Sequence, residues 1–250
     1  MAGLQLLRLS QVSSACSSVK QASKTTLSLT RYGWQQWLTI TVVLAIPALV
    51  ALWGTQHSQL WWIAIAGLVL LWFALVSFFR NPWRTIPTNL PDGMMLSPAD
   101  GVISAIEHVD SHETVDGPAV IIRIFLSVLN VHINRVPCDC TLEQSIYRPG
   151  KFLDARTEES AKINESNTLF FTHRGERIGV KQISGKIARH IVCPIQKGDE
   201  FTRGQQFGMI KFGSTTELIL PRPDEVTVHV QKGDAVKGGL TEFATLNSRS

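Results

Sequence analysis

Residues 207–221 read Phe-Gly-Met-Ile-Lys-Phe-Gly-Ser-Thr-Thr-Glu-Leu-Ile-Leu-Pro, a strand-like apolar pattern that contains one step of small residues, Gly213-Ser214. An isolated glycine inside a strand pattern usually marks a β-bulge or a tight bend. Glycine also adopts backbone angles that are closed to other residues and has no side chain to shield its carbonyl. In a strained turn, the Ser214 hydroxyl could attack the Gly213 carbonyl carbon. The dipeptide alone favours the bend, with self-cleavage as the functional alternative.

The residues around this stretch form many short runs that are rich in Val and Ile and alternate roughly, a pattern that predicts strands. Turn signals separate the runs, and the segment 154–164 alone favours a helix. Many short strands at regular spacing predict a sandwich or a barrel. We therefore expect residues 98–250 to form a mainly β (α+β) domain of the β-sandwich or barrel-like type. The strand-like runs lie at 119–126, 177–183, 188–192 and 225–230.

Two charge-free apolar runs precede this domain, one between Trp37 and Trp53 and one from Leu60 to Phe79. A helix needs about 20 apolar residues to cross a bilayer core. The second run fits that length, and the first fits when Trp34 and its neighbours are included. Tryptophans lie near the ends of both runs, where their rings prefer the headgroup layer. The pattern predicts a transmembrane helical hairpin over residues 34–79, with a buried soluble hairpin as the alternative.

Basic residues around the hairpin predict its orientation. Residues 54–59, between the two runs, contain no Lys or Arg, whereas Arg31 precedes the hairpin and Arg80 and Arg84 follow it. By the positive-inside rule, both ends of the hairpin face the cytoplasm. We therefore expect the domain to lie on the cytoplasmic side of the cell (inner) membrane, joined to the hairpin by a linker over residues 80–97.

The N-terminal residues 1–33 predict a basic, disordered arm. The first thirty residues are rich in Ser, Ala, Gln and Lys and contain no acidic residue. A transit peptide has this composition, as does an unstructured cytosolic arm. We favour the arm, because no small-residue cleavage site follows an apolar core of signal-peptide length.

The overall charge and the cysteines exclude some functions. A net charge of +4 and a pI near 9 suit nucleic acid or an anionic membrane surface. The sequence has no block of Lys and Arg and no RNA-binding signature, so we do not expect nucleic acid as a partner. The four cysteines lack the paired spacing of a zinc site. We therefore expect no metal site.

Four blocks occur in order along the chain: Phe79-Arg80-Asn81-Pro82, Ser97-Pro98-Ala99-Asp100-Gly101, Asn130-Val131-His132-Ile133-Asn134-Arg135-Val136-Pro137 and Phe212-Gly213-Ser214. Together they resemble the phosphatidylserine decarboxylase family, of the short proenzyme type, from about Phe78 to about Val230. Thr215 departs from the family pattern, since many short members carry Arg there. Cys138-Asp139-Cys140 also departs, since small residues and glycine are more usual. Neither departure removes a candidate catalytic residue.

The resemblance implies decarboxylation of phosphatidylserine to phosphatidylethanolamine by a mostly β domain. It also implies that the proenzyme cuts itself before Ser214 through an ester and a β-elimination, which leaves a pyruvoyl group derived from that serine. The two products, residues 1–213 and 214–250, would stay together as a heterodimer. The pyruvoyl carbonyl would take up the electrons of the breaking bond, so that neither pyridoxal phosphate nor a metal is required.

His132 is the candidate base for this cleavage, because imidazole titrates near neutrality. Asp100 could hold its other nitrogen, as in a Ser-His-Asp arrangement. A lone histidine in a strand is more often a packed core residue, and Asp-Gly is more often a turn. The resemblance implies that Asp100, His132 and Ser214 act together in self-cleavage, and that His132 then gives a proton to the substrate.

Three basic residues, Arg123, Arg135 and Lys211, are candidates for binding the lipid phosphate or the serine carboxylate. Each alone is more often a solvated surface charge. The segment 164–167 resembles a family segment and is expected near the site.

Two other functions remain open from the residues. The Asp, His and Ser would also serve an autoproteolytic serine hydrolase that never eliminates its serine. A catalytically silent, membrane-tethered β-domain that binds a partner would keep Gly213-Ser214 intact.

Overall fold

The computed structural model of the chain describes residues 28–186, 190–211 and 213–247. The predicted arm therefore lies mostly outside the described residues. The helices are α1 (Trp34–Gly54), α2 (Trp61–Ser77) and α3 (Glu158–Ile163), and short 3-10 helices cover Arg31–Gly33 and Pro223–Glu225. The strands are β1 (Ser28–Leu29), β2 (Arg80–Asn81), β3 (Met94–Leu96), β4 (Gly101–His112), β5 (Gly117–Leu126), β6 (Ile133–Arg135), β7 (Cys140–Arg148), β8 (Ser166–His173), β9 (Glu176–Ser184), β10 (Ile191–Val192), β11 (Glu200–Phe201), β12 (Gln206–Ile210), β13 (Ser214–Pro221), β14 (Val226–Val228), β15 (Ala235–Val236) and β16 (Glu242–Leu246).

The two apolar runs form the helices α1 and α2. Gly54 lets the start of α2 pack closely, since a Cβ at this position would lie 2.5 Å from the Trp61 ring. Farther along, Trp72 Nε1 donates a hydrogen bond of 3.0 Å to Thr41 Oγ1, which ties the two helices together. Their outward faces are apolar and exposed, as expected for helices that are surrounded by lipid.

The lengths of the two helices differ from the prediction. The segment Arg31–Gly54 is the one that is long and apolar enough to cross a membrane among the described residues. The helix α2 has 17 residues, a length of about 26 Å, which is at the short end of the spanning range. It is shorter than the apolar run because Phe78 and Phe79 leave the helix and are buried beside β6 and β12.

The mainly β fold is confirmed. The largest sheet has eight antiparallel strands in the order β11-β7-β8-β9-β13-β5-β4-β15. Its edges are β11 and β15, so the sheet is open and does not close into a barrel. Two three-stranded sheets, β10-β12-β6 and β14-β16-β3, accompany it. The main core contains apolar side chains of the large sheet together with Met95, Phe207 and Phe243 from the smaller sheets.

The predicted strands occur with altered ends. Residues 119–126 and 177–183 lie within β5 and β9, and residues 225–230 contain the short β14. For the run 188–192, the structure describes β10 at its end, while residues 188 and 189 lie outside the described residues. The predicted helix 154–164 contains α3. Thr157 is the N-cap of this helix, since its side chain accepts a hydrogen bond from the Ser160 amide.

The segment 80–97, predicted as a linker, is fastened to the domain. It contains β2 and β3, and the latter pairs with β16 in one of the small sheets. Arg84 forms an ion pair with Asp100. Ile86 packs against Gly204 so closely that a Cβ there would lie 2.7 Å from its Cδ1. These contacts bring the end of the hairpin against the domain.

Candidate active site

Ser214 lies at the start of β13, in the interior of the large sheet. Its backbone is paired with Leu126 of β5 on one side and with Ser184 of β9 on the other. The residue is fully buried, and its Oγ has no hydrogen-bond partner among the described residues. Buried hydroxyls normally have a partner, because an unpaired one costs about 1–3 kcal/mol. The Ser214 hydroxyl therefore lacks, among the described residues, the partner that a buried hydroxyl usually has.

Gly213 breaks the strand just before this serine. Its φ of 67° lies in the left-handed region, which glycine adopts without a steric penalty. The carbonyl of Gly213 also faces a second glycine, since a Cβ at Gly185 would lie 2.4 Å from this oxygen. Glycine at position 185 therefore makes room for the carbonyl that Ser214 would attack.

His132 holds the segment from the other side. Its Nδ1 lies 2.9 Å from the Asn130 carbonyl oxygen, and its Nε2 accepts a hydrogen bond of 3.0 Å from the Gly213 amide. Since the carbonyl is an acceptor only, Nδ1 carries the proton and Nε2 presents a lone pair. The imidazole is neutral in this arrangement and is directed at the Gly213-Ser214 step.

Burial favours the neutral form of this imidazole. It lowers the pKa of His132 to about 4, with a further lowering by the charge of Arg80. The hydrogen bond to Asn130 and the charge of Asp100 oppose this shift but are weaker. Near neutral pH, the His132 imidazole is therefore neutral, with its proton on Nδ1, and can accept a second proton at Nε2.

The end of the hairpin that leads into the domain contacts His132 directly. The Phe78 ring, which caps the end of α2, lies 4.6 Å from the His132 ring, measured between centroids. Phe78 also belongs to a small apolar cluster with Tyr32, Val131 and Met209. The apolar N-terminal region and the candidate base therefore form one packed unit.

The structure does not bring Asp100 into a hydrogen bond with His132. The Asp100 carboxylate instead forms two hydrogen bonds of 2.6 Å with Arg84 and accepts another of 2.8 Å from the Gly238 amide. The nitrogen of His132 that was expected to contact Asp100 is held by Asn130. Asp100 therefore acts on the imidazole by its charge at a distance, because its oxygens are directed at Arg84 and Gly238.

Two of the three candidate substrate residues have partners within the protein. Arg123 forms ion pairs with Glu217 and Glu107 at 2.7 and 2.8 Å. Arg135 donates a hydrogen bond of 2.7 Å to the Gly204 carbonyl, and burial lowers its pKa to about 10. These contacts fix both side chains inside the domain.

Lys211 differs from these two residues. Burial lowers its pKa, and no charged group among the described residues opposes that shift. It lines a cavity of about 480 Å³ together with Arg31, Trp34 and His190. No carboxylate lines this cavity in the described part of the chain. Trp34 begins α1, so the cavity lies where the apolar helix meets the domain.

Ser184 and Gly185, which the sequence did not single out, lie beside the Gly213-Ser214 step. Ser184 is directly opposite Ser214 across the strands, and its Oγ also lacks a partner among the described residues. Asn164, in the predicted segment 164–167, donates to the Ser184 carbonyl at 2.8 Å. Neither Ser184 nor Gly185 carries a local motif, because both depend on the pairing of β9 with β13.

The described residues contain no group of three His, Cys, Asp or Glu side chains arranged to hold a metal ion. The polar groups of the site are instead a hydroxyl, an imidazole and backbone amides. This set suits proton transfer and acyl transfer at the Gly213 carbonyl.

The chain is similar to known proteins over most of its length. A family model described as phosphatidylserine decarboxylase matches residues 72–244. A phosphatidylserine decarboxylase proenzyme of Carboxydothermus hydrogenoformans is 46% identical over 172 residues, which cover 69% of this chain and 79% of the relative. Proenzymes of the same description from Rhodopirellula baltica and Symbiobacterium thermophilum are each 39% identical, over 87% of this chain and over 88% and 95% of the relatives, respectively.

Proposed function

We propose that this chain, which belongs to the phosphatidylserine decarboxylase family, is a proenzyme that cuts itself between Gly213 and Ser214. Its activity is the conversion of phosphatidylserine to phosphatidylethanolamine and CO2. The observation that carries this position is the buried, unpartnered Ser214 hydroxyl beside a glycine in the left-handed region. A neutral imidazole is hydrogen bonded to the same step of the chain.

Self-cleavage begins with a proton transfer to His132. Its Nε2 accepts the Gly213 amide in the resting chain, and the Ser214 hydroxyl replaces that amide as the donor when it attacks the Gly213 carbonyl carbon. His132 then returns the proton to the Ser214 nitrogen, which leaves as a free amine while the Gly213 acyl group remains on the Ser214 oxygen as an ester. Abstraction of the Ser214 α-proton releases the Gly213 carboxylate and leaves dehydroalanine, which tautomerises and hydrolyses with loss of ammonia.

The residues around Ser214 fit the pyruvoyl group that this sequence of steps leaves. The hydroxyl that is lost makes no hydrogen bond, so its removal leaves no partner unsatisfied among the described residues. Ser184 lies across from position 214 and can donate its own free hydroxyl to a carbonyl oxygen there. When formed, the group supplies a carbonyl that accepts the electrons released with CO2.

Asp100 and His132 have different parts in this scheme. His132 Nε2 takes the Ser214 proton, and after maturation it delivers a proton to the substrate Cα. Asp100 anchors Arg84 and the Gly238 amide, and its negative charge favours the imidazolium that forms during proton transfer. Asp100 is therefore a positioning residue that also stabilises charge.

We place the lipid phosphate at the cavity between Arg31, His190 and Lys211. A guanidinium and an ammonium without a carboxylate neighbour favour an anion. Lys211 precedes Ser214 by three residues, a span of at most about 10 Å along the chain. A Lys211→Gln variant should raise the KM for phosphatidylserine about 10-fold while self-cleavage continues, and an unchanged KM would remove this residue from the substrate site.

The length of α1 and the charges that flank the hairpin support a membrane location. We propose that α1 and α2 cross the cell (inner) membrane as a hairpin and leave the domain on the cytoplasmic side. A headgroup at the interface then reaches the site without leaving its leaflet. A tag after Ser250 that reacts only with reagents outside the cell would contradict this orientation.

The two products of cleavage remain one assembly. The new chain 214–250 begins with β13, which is paired on both sides by strands of the chain 1–213. It also carries β15 and β16, which pair with β4 and β3 of the chain 1–213, and β14, which pairs with β16. The mature enzyme is thus a heterodimer held by sheet hydrogen bonds and shared core side chains.

Intact mass spectrometry under denaturing conditions tests the function. The wild type should yield a small chain whose mass fits residues 214–250 with a pyruvoyl start, and Ser214→Ala should remain one chain. A small chain that begins with unmodified serine would favour the autoproteolytic hydrolase. An uncut wild type that also lacks decarboxylase activity would favour the silent, membrane-tethered domain.

A further inference from the structure

A tight turn after β5 presents two apolar side chains to the outside. The Ser127 amide and hydroxyl both donate to Asn130 Oδ1 at 2.8 Å, and the Asn130 amide donates to the Ser127 carbonyl at 2.9 Å. Val128 and Leu129 occupy the centre of this turn, where Gly, Pro, Asn, Asp and Ser are usual. Their exposed fractions are 43% and 83%. We call Val128 and Leu129 the apolar tip.

The apolar tip lies beside the end of the helical hairpin. Arg80 Nη2 donates to the Leu129 carbonyl, and Arg80 Nη1 donates to the Ser77 carbonyl at 3.1 Å. Ser77 is the last residue of α2. One guanidinium therefore joins the apolar tip to the point where the apolar helix ends, which is the level of the headgroups if α2 lies in the bilayer.

The apolar tip is also next to the candidate active site. The nearest side-chain atom to a Cβ built on Gly213 is Val128 Cγ2, at 3.8 Å. The turn that carries the tip ends at Asn130, whose carbonyl holds His132 Nδ1. A membrane that contacts the apolar tip would therefore lie beside the Gly213-Ser214 bond and beside His132, the candidate base.

We propose that Val128 and Leu129 insert into the phospholipid bilayer at the boundary between headgroups and acyl chains, and so hold the Ser214 site at the lipid surface. The inference deepens the proposed function and rests on it for the substrate. A bilayer is the occupant because the tip continues the apolar surface of the hairpin, and because the basic Arg80 beside it suits anionic headgroups. The tip has no polar side chain that would favour a protein partner through hydrogen bonds.

Fluorescence quenching tests the insertion directly. The full-length protein, with Cys16→Ser and Cys193→Ser, would carry an environment-sensitive dye on Leu129→Cys in vesicles of phosphatidylcholine and phosphatidylglycerol. Lipids with a spin label near the glycerol should quench this dye several-fold more than a dye on Lys232→Cys, which is exposed in a turn between β14 and β15. Equal quenching at the two positions would overturn the proposal and leave the tip available to a protein partner.

Turnover adds a functional readout. The ratio between turnover of phosphatidylserine in vesicles and turnover of a dispersed short-chain phosphatidylserine should fall about 10-fold in Leu129→Ser. Leu129→Phe should restore the ratio, because the larger apolar side chain still inserts. A ratio that is the same in both variants and the wild type would contradict the proposal.

The two hypotheses fail in different ways. A wild-type protein that decarboxylates neither form of the lipid would contradict the proposed function, while the quenching result would still decide whether the tip inserts. A wild type that decarboxylates both forms, with an unquenched dye on Leu129→Cys, would contradict the insertion alone.

Discussion

The helical hairpin and the centre of the large sheet distribute polar and apolar groups in opposite ways. The hairpin exposes large apolar side chains such as Ile46, Leu49 and Ile63, each at least 65% accessible. The large sheet fully buries Ser214 and Gln182, and His132, which lies beside it just before β6, is equally buried. The hairpin therefore depends on its surroundings for stability, whereas the site depends on its own hydrogen bonds. The difference explains why one region is readable from hydropathy and the other is not.

The largest expected effect comes from removing the His132 imidazole, which is hydrogen bonded to the Gly213-Ser214 step. His132→Ala should slow self-cleavage at least about 100-fold, because general base catalysis contributes that much or more. The measurement is the fraction of cut chain over time on denaturing gels. His229→Ala, at an exposed position of the domain, is the control and should mature normally. Equal rates for both variants would remove His132 from the mechanism.

The buried ion pair between Arg84 and Asp100 is expected to contribute more to the free energy of unfolding than an exposed pair. Asp100→Asn leaves Arg84 without its counter-charge and should lower the free energy of unfolding by about 3–5 kcal/mol. Asp92→Asn breaks the exposed pair with Arg174 and should leave the free energy of unfolding nearly unchanged, because solvent screens exposed charges. Urea denaturation of both variants in detergent micelles makes the comparison. Similar losses would show that burial does not distinguish the two pairs.

The pH dependence of stability sharpens the contrast further. The folded chain excludes a proton from His132 down to about pH 4, whereas the unfolded chain binds it below about pH 6.5. The contribution of His132 to the free energy of unfolding is therefore fully present above pH 6.5, and about 3 kcal/mol of it is lost as the pH drops to 4. Denaturation of Ser214→Ala proenzyme at several pH values, with and without His132→Ala, isolates this component. Parallel curves would contradict the burial argument.

The smallest effect belongs to the hairpin. Thr41→Val removes the hydrogen bond from Trp72 and should cost about 0.6 kcal/mol, because polar contacts between helices in lipid are weak. Steric trapping or thermal unfolding in bilayer discs measures the change. A loss as large as that of Asp100→Asn would mean that the hairpin, like the sheet, relies on internal polar contacts.

The same contrast decides how much the sequence could predict. The strands β5 and β9, and the existence of the hairpin, follow from local apolar patterns. The length of α2 does not, because Phe78 and Phe79 leave it for contacts with distant residues. The motifs predicted Asp100, His132 and Ser214, and Asn130 lies in the same motif as His132, but the contacts of Arg84 and Gly185 depend on long-range packing. Ser184 is recognisable only once the register of β9 and β13 is known.

The position of β13 changes what unfolding means for the mature protein. Before cleavage, β13 is covalently tethered between its neighbours, and the chain refolds at a rate that does not depend on concentration. After the proposed cleavage, β13 begins a separate peptide, so loss of structure lets that peptide diffuse away and recovery becomes a bimolecular encounter. The tether that supplied a high effective concentration is gone. The proposed mature assembly therefore depends on slow unfolding to persist. Folding as a single chain is possible only before the proposed cleavage.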